Sequence, residues 1–280
     1  MKVYLNGRIV PEDEALVPVT DRGFLYGDGV FETMRAYGGE VFMAGRHMQR
    51  LQRSASLVGL VPPLDEDGVM EAVWETMEAN GLRDATIRVT ITRGSGPRGI
   101  DPTLEYTPTM VVLVWPFSPY DPGLYAKGVR TIIASTRRTP ASSLDTLVKS
   151  CNYLNSIMAK AEASRAGAFE AIMLNQDGFL AEGTICNVFF ASRGVLRTPS
   201  LACGILDGIT REHVMALARG LGMEIREGMY RPEELFDGAD EVFLTSTSME
   251  VMPVSRVDKA KYKVGPLTRA LMDAYRESRP

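Results

Sequence analysis

The sequence predicts an α/β (α+β) fold divided into two domains. Three observations lead there. Strand-type alternation and helix-type 3.6-residue spacing both recur in clusters along the 280 residues. One stretch, "SPYDPGLYAKG" at 118–128, interrupts both periods with two prolines and two glycines. The length suits one large domain or two ordinary ones. The expected division is a smaller N-terminal α/β domain over 1–117, a linker over 118–128 and a larger domain over 129–280.

The elements follow in order. "VYLNGRIV" predicts a hairpin, because Asn-Gly accepts the positive φ angles of a tight two-residue turn. "GVFETMRAYGGEVFMA" predicts a second hairpin turning at Gly38-Gly39. "GRHMQRLQRSASLVGL" sets Met48, Leu51, Ala55 and Val58 at helical spacing. "EDGVMEAVWETMEANGL" is a second amphipathic helix, stopped by Asn80-Gly81. "ATIRVTITRG" and "TMVVLVWPF" read as strands. Beyond the linker come a helix over about 152–165 and the strands "EAIMLN", "FLAEG" and "CNVFFAS". They are followed by the helix "GITREHVMALARGLG" with Thr210 as N-cap, the strands "MEIREGMY" and "DEVFLTSTS", and the terminal helix "GPLTRALMDAYRES".

Composition narrows the chemistry. The formal net charge is −4 and no dense Lys/Arg run occurs, so nucleic acid is not an expected partner. No apolar run approaches the roughly 18 residues of a membrane helix, and "MKVYLNGRIV" breaks too early for a signal peptide. Three scattered cysteines, Cys151, Cys186 and Cys203, fit free thiols in a reducing cytoplasm. With two histidines, a zinc site built on several is excluded. A Ser-His-Asp triad lacks its G-x-S-x-G elbow. Of seven lysines, Lys149 stands apart. It follows Leu147 and Val148 at what reads as the mouth of a helix, where an amine can shed its proton and act as a nucleophile.

Four further stretches hold candidate site residues. "GSGPRG" (94–99) matches G-x-G-x-x-G but precedes prolines, not the helix a dinucleotide site needs. It is either a glycine-rich hairpin tip or a loop offering N–H groups and Arg98 to a carboxylate. "GITR" (208–211) and "TSTS" (245–248) are either caps and turns or, with Arg50, a cup for phosphate. Arg50 alone also reads as part of a solvated face with Arg46 and Arg53. Glu182, in "AEGTICNVFF", is either a turn acid or a buried carboxylate with a cationic partner.

Taken together, "YGDGVFETMR", "HMQRL", "KSCNYLN", "AEGTICNVFF", "GILDGITR" and "DEVFLTSTSMEVMPV" resemble, in order and spacing, the class IV (fold type IV) pyridoxal-phosphate enzymes. That family contains branched-chain aminotransferases, D-amino acid aminotransferases and aminodeoxychorismate lyases. The resemblance covers nearly the whole chain. It implies that Lys149 binds pyridoxal 5'-phosphate covalently and moves the substrate's proton. It implies that Glu182 keeps the pyridine nitrogen protonated. Arg50, Ile209, Thr210 and Thr247 would bind the phosphate, and Tyr153 the ring oxygen. It also implies a homodimer; Tyr26, Phe31 and Tyr106 are notably aromatic for solvated loops.

Within the family, the motifs divide. Branched-chain enzymes usually have glycine where Thr33 stands, and the lyases threonine. "RGSGPRG" and "TPSLACGILDGITR" are lyase-like, whereas the lysine-bearing segment and "STSMEVMPV" are closer to aminotransferases. The D-specific pattern of an arginine followed two residues on by histidine is incomplete, since Arg98 is followed by Ile100, and its tyrosine is Phe31. The expected function is amino transfer from a branched-chain or other apolar L-amino acid to a 2-oxo acid. Tyr26, Phe31, Thr33, Arg98, Ser248 and Met249 are the expected substrate residues. Pyruvate elimination from aminodeoxychorismate is the alternative. A cofactor-binding protein without turnover is a third reading, opposed by intact Lys149 and Glu182.

Overall fold

A computed structural model describes residues 1–280. The chain forms two compact units. One comprises Met1–Ser118 with Val148–Asn152 and Pro280, the other Pro119–Leu147 with Tyr153–Arg279.

The first unit contains β1 (Lys2–Leu5), β2 (Arg8–Pro11), α1 (Arg22–Tyr26), β3 (Gly29–Tyr37), β4 (Glu40–Val41), α2 (Ala44–Leu57), α3 (Glu66–Ala79), β5 (Ala85–Ser95) and β6 (Thr107–Pro116). Its six strands form a sheet in the order β2-β1-β6-β5-β3-β4, antiparallel throughout. Asn6 and Gly7 make the first turn with φ of 48° and 86°, as Asn-Gly predicts. Alternation sorts the two faces. Val30, Met34 and Ala36 of β3, Ile87, Val89 and Ile91 of β5, and Met110, Val112 and Val114 of β6 enter one core with Met48, Leu51 and Ala55 of α2. The opposite face carries Phe31 and Thr33, whose register partners on β5 are Thr90 and Arg88. Asp65 caps α3 through Gly68 N–H, 3.0 Å away.

The second unit contains α4 (Pro122–Lys127), β7 (Val129–Ile133), α5 (Leu154–Arg165), β8 (Glu170–Leu174), β9 (Leu180–Gly183), β10 (Asn187–Ser192), β11 (Val195–Pro199), α6 (Ile209–Gly220), β12 (Ile225–Gly228), α7 (Pro232–Gly238), β13 (Glu241–Ser246), β14 (Glu250–Val257), β15 (Ala260–Lys261) and α8 (Pro266–Glu277). Its sheet is mixed and runs β12-β11-β10-β13-β14-β7-β8-β9, with β15 on β14. The core gathers Ile172, Leu180, Val188, Phe190, Leu235, Leu244 and Met252. No helix is long and apolar enough to cross a membrane.

Several expectations change. The 118–128 stretch is not bare linker: Asp121 caps α4 and Pro122 starts it, so proline initiates a helix there. Residues 148–152 fold with the first unit, which a single cut at 118–128 does not allow. The helix after Lys149 begins only at Leu154. Lys149 is therefore in extended chain alongside β3, not at a helix mouth. Its carbonyl accepts from Phe31 N–H at 3.0 Å, Cys151 N–H donates to Gly29, and Ser150 bridges Val30. Val148 explains the pairing, since its side chain is a member of the first unit's core. α6 is capped by Gly208, not Thr210, which lies inside the first turn.

Candidate active site

Lys149 is anchored by backbone. Besides the β3 pairing, its own N–H donates to Ser54 Oγ at 3.1 Å. Its half-buried side chain brings Nζ to 4.5 Å from the Phe31 ring centroid. Among the other six lysines, five are exposed, and the half-buried Lys160 donates its amine to the Phe169 carbonyl. Lys160 also lies over a ring, that of Phe169 at 5.4 Å, so what sets Lys149 apart is the second cation, Arg88, over its own ring.

Arg88 is a residue that sequence reasoning missed. Its guanidinium carbon lies 3.8 Å from the same Phe31 centroid, so both cations lie within 4.5 Å of one ring. The available signal was a charge at an alternate position of "ATIRVTITRG", on the face otherwise lined by threonines. A solvated strand face gives the same pattern. Thr33 is half-buried beside Arg88 in the register.

Arg50 is not on a solvated face. It is buried, as is Glu32, which is fully enclosed. Arg50 Nε and Nη2 grip the two Glu32 oxygens at 2.7 and 2.8 Å. His47 Nδ1 lies 2.8 Å from Glu32 Oε2. A carboxylate only accepts, so Nδ1 carries the hydrogen. Burial alone raises the Glu32 pKa, but Arg50 and His47 outweigh it and hold it well below the usual range. Burial pushes the His47 pKa down, against the pull of Glu32. Neither Glu32 nor His47 drew notice in the sequence, because nothing local marks an i, i+15 pair.

In the second unit, Glu182 is buried, not exposed in a turn. Its Oε1 accepts from Arg138 Nε at 2.7 Å, and its Oε2 from Leu206 N–H at 3.1 Å and Asn187 Nδ2 at 3.3 Å. Asn187 faces Thr245 in the β10–β13 register and also abuts the start of α6. A Cβ on Gly208 would sit 1.9 Å from Asn187 Oδ1, so any side chain there would displace the Asn187 amide. The α6 start has no side-chain cap, and Ile209 and Thr210 are buried. Thr245 Oγ1 is buried with no hydrogen-bond partner. Thr247 and Ser248 are half-buried in the turn after β13. Met249 departs from the expected pocket role: its side chain packs in the second unit's core, and its carbonyl accepts from Tyr125. Tyr153 is half-buried as the N-cap residue of α5.

Tyr26 and Arg98 are exposed. Arg98 stands on a loop, 96–106, that joins β5 to β6 without a helix. That excludes the dinucleotide motif.

Residues 29–257 match the class IV aminotransferase family. The chain is 43% identical to a putative branched-chain-amino-acid aminotransferase of Methanocaldococcus jannaschii, over 100% of this chain and 96% of that one. It is 33% identical to the aminodeoxychorismate lyase of Bacillus subtilis, over 98% and 94%. The branched-chain aminotransferase of Thermoproteus uzoniensis, solved with norvaline, superposes with a TM-score of 0.93 at 41% identity, covering 99% of this chain and 94% of that one. The two-sheet α/β architecture is thus the one that solved branched-chain aminotransferases of fold type IV adopt, among them one solved with pyridoxamine 5'-phosphate. Family match and whole-length similarity agree that the chain belongs to the class IV aminotransferases and is an enzyme of that class.

Proposed function

We propose that the enzyme uses pyridoxal 5'-phosphate to transfer the amino group of an apolar, branched-chain L-amino acid to a 2-oxo acid. The observation that carries this reading is Lys149, the one lysine whose half-buried amine lies over an aromatic ring beside a second fixed cation. The donor chemistry fits the cofactor. Its phosphate suits an uncapped helix start at Ile209 and Thr210, and an unpartnered buried hydroxyl lies near at Thr245. When bound, the cofactor supplies an electron sink for the substrate's Cα and a carrier for its amino group.

The chain's own residues then take these roles. Lys149 would hold the cofactor covalently in the resting enzyme, and its Nζ, once displaced as a free amine by the incoming substrate amine, would take up the proton released from the substrate's Cα. Arg50, steadied by Glu32, would bind phosphate, as would Ile209, Thr210 and Thr247. Glu182, fixed by Arg138, would keep the pyridine nitrogen protonated, and Tyr153 would donate to the ring oxygen. Arg88 and Arg98 are the guanidinium groups offered to substrate carboxylates. Phe31 and Tyr26 would meet the apolar part of the substrate, and Ser248 and the backbone of Met249 would offer contacts at the turn after β13. Guanidinium groups of this kind fit the carboxylates of amino and oxo acids, which suits small-molecule substrates.

The lyase is the second reading, favoured by the Thr33 hydroxyl on the same sheet face as Phe31 and Arg88. Spectral half-reactions against L-amino acids, D-amino acids and aminodeoxychorismate separate the two. Conversion to the pyridoxamine form by leucine, isoleucine or valine is expected. We expect Thr33→Gly to alter discrimination among amino acids by no more than about 10- to 200-fold, the range for small changes of pocket volume. Efficient pyruvate release without an oxo-acid acceptor, abolished by Thr33→Gly, would establish the lyase instead.

A homodimer in the cytoplasm completes the proposal. Leu16, Val19, Phe24, Leu25 and Tyr26 are exposed within one short segment, a run of apolar side chains that a partner subunit would cover. The three cysteines are unpaired, as a reducing compartment keeps them. Phe24→Asp is expected to shift sedimentation from dimer toward monomer. A wild type that sediments as a fully active monomer at nanomolar-scale concentration contradicts the assembly.

A further inference from the structure

We infer that Arg22 is a positioning residue that clamps the 96–106 loop and thereby fixes where Arg98 meets a substrate carboxylate; this rests on the carboxylate-binding reading of Arg98. Arg22 begins α1 and is buried, 4% exposed, although it belongs to a short surface helix. Its guanidinium is committed in several directions. Nε donates to Asp28 at 2.8 Å. Nη1 donates to the Gly99 carbonyl and, at 2.8 Å, to the Tyr106 hydroxyl. Nη2 donates to the Ile100 carbonyl at 3.2 Å. Four of its five N–H groups are thereby used. The Tyr106 ring lies against the guanidinium at 4.6 Å, and its hydroxyl passes the chain on to the Asp101 carbonyl at 2.8 Å.

Apart from Arg22, the loop is held by bonds within itself, where Thr103 and Tyr106 both turn back to Asp101. Gly96, Pro97, Arg98, Gly99 and Ile100 are all exposed, and none belongs to a strand or helix. The loop's base is closed by glycines that permit close backbone approach. A Cβ on Gly94 would sit 1.7 Å from the Thr107 carbonyl oxygen, and one on Gly96 2.2 Å from the Tyr106 ring. The tip is held through the carbonyls of the two residues that follow Arg98, and Arg22 takes both. Lysine has no fork with which to reach two successive carbonyls, a ring hydroxyl and a carboxylate together. Asp28 is shared with Arg93, whose Nε is also 2.8 Å away, so losing Arg22 does not strand a buried charge.

The test compares holoenzyme carrying Arg22→Gln or Arg22→Lys, each with and without Arg98→Ala. Two readouts apply: hydrogen exchange of peptides spanning 97–103, and the split of KM against kcat for the amino donor. Expected are faster exchange in the loop and a KM raised roughly 10-fold, about what one lost charged hydrogen bond produces, with kcat within about 2-fold. In the Arg98→Ala background the Arg22 variants should add nothing further to KM. Arg22→Lys carries the same comparison should Arg22→Gln fold poorly. Unchanged loop exchange would overturn the clamp itself. Faster exchange with unchanged KM, while Arg98→Ala raises KM, would show that the clamp does not set the position of Arg98. Faster exchange with KM insensitive to both residues would remove the carboxylate role of Arg98, and the proposal with it.

Discussion

Lys149→Ala is expected to abolish amino transfer while leaving the fold intact. The two effects separate because backbone and side chain of Lys149 do different things. The backbone supports structure: its carbonyl accepts from Phe31 and its N–H donates to Ser54, and both bonds survive any side-chain truncation. The side chain supplies the amine. Loss of general acid–base action alone removes about 10²- to 10⁴-fold, and loss of the covalent link comes on top. Melting temperature should therefore stay near that of the wild type while kcat falls by at least that range. Lys149→Arg is the sharper variant. It keeps a cation over the Phe31 ring but not a neutral amine, so it should be as inactive as alanine. Borohydride reduction of wild-type holoenzyme should label Lys149. Label on Lys127 or Lys160, or activity in Lys149→Arg within about tenfold of wild type, would overturn the assignment.

The periodic elements were legible in the sequence because their signals are local. α2, α3, β5 and β6 each show their period within a dozen residues, and the Asn6-Gly7 turn needs only two. What escaped was short or set by distant partners. α1 has five residues and is capped by Asp21; β7 and β14 pair in parallel across more than a hundred residues. Parallel pairing leaves no local turn to read. Lys149 illustrates both sides. Its partial burial was readable from its neighbours Leu147 and Val148, yet its setting was not. Extended pairing with β3 is imposed by the Val148 side chain entering a core built from residues at 4–114.

The same division runs through the site. Glu182 was legible as a carboxylate between buried strands, but its cation, Arg138, lies 44 positions away. Arg50 was legible only as one of three arginines on a helix. Its burial follows from Glu32, eighteen positions earlier on β3, which turns an apparently solvated face inward. Arg88 carried no local signal beyond a charge in an alternating strand. Met249 sounded like pocket lining, but a methionine fills gaps in cores as readily, and here it does so.

Glu32→Ala should be the most damaging substitution for stability, and its size should depend on the cofactor. The carboxylate is fully enclosed, with Arg50 on both oxygens and His47 on one. Removing it leaves a buried guanidinium without its counter-charge, a change that typically costs about 3–5 kcal/mol. Glu32→Gln keeps an acceptor but not the charge, and should cost less. If Arg50 binds phosphate, the phosphate's negative charge takes over part of what Glu32 supplied. Cofactor-loaded Glu32→Ala should then lose less stability than the cofactor-stripped form, by about 1.5–3 kcal/mol, the range for hydrogen bonds to charged groups. Chemical denaturation of both forms, wild type and variant, measures the difference. Inorganic phosphate added to the stripped variant should recover part of it, and Arg50→Ala should erase the cofactor dependence. Equal losses in loaded and stripped protein would mean that Arg50 serves the fold alone, and that phosphate is held by Ile209, Thr210 and Thr247 without it.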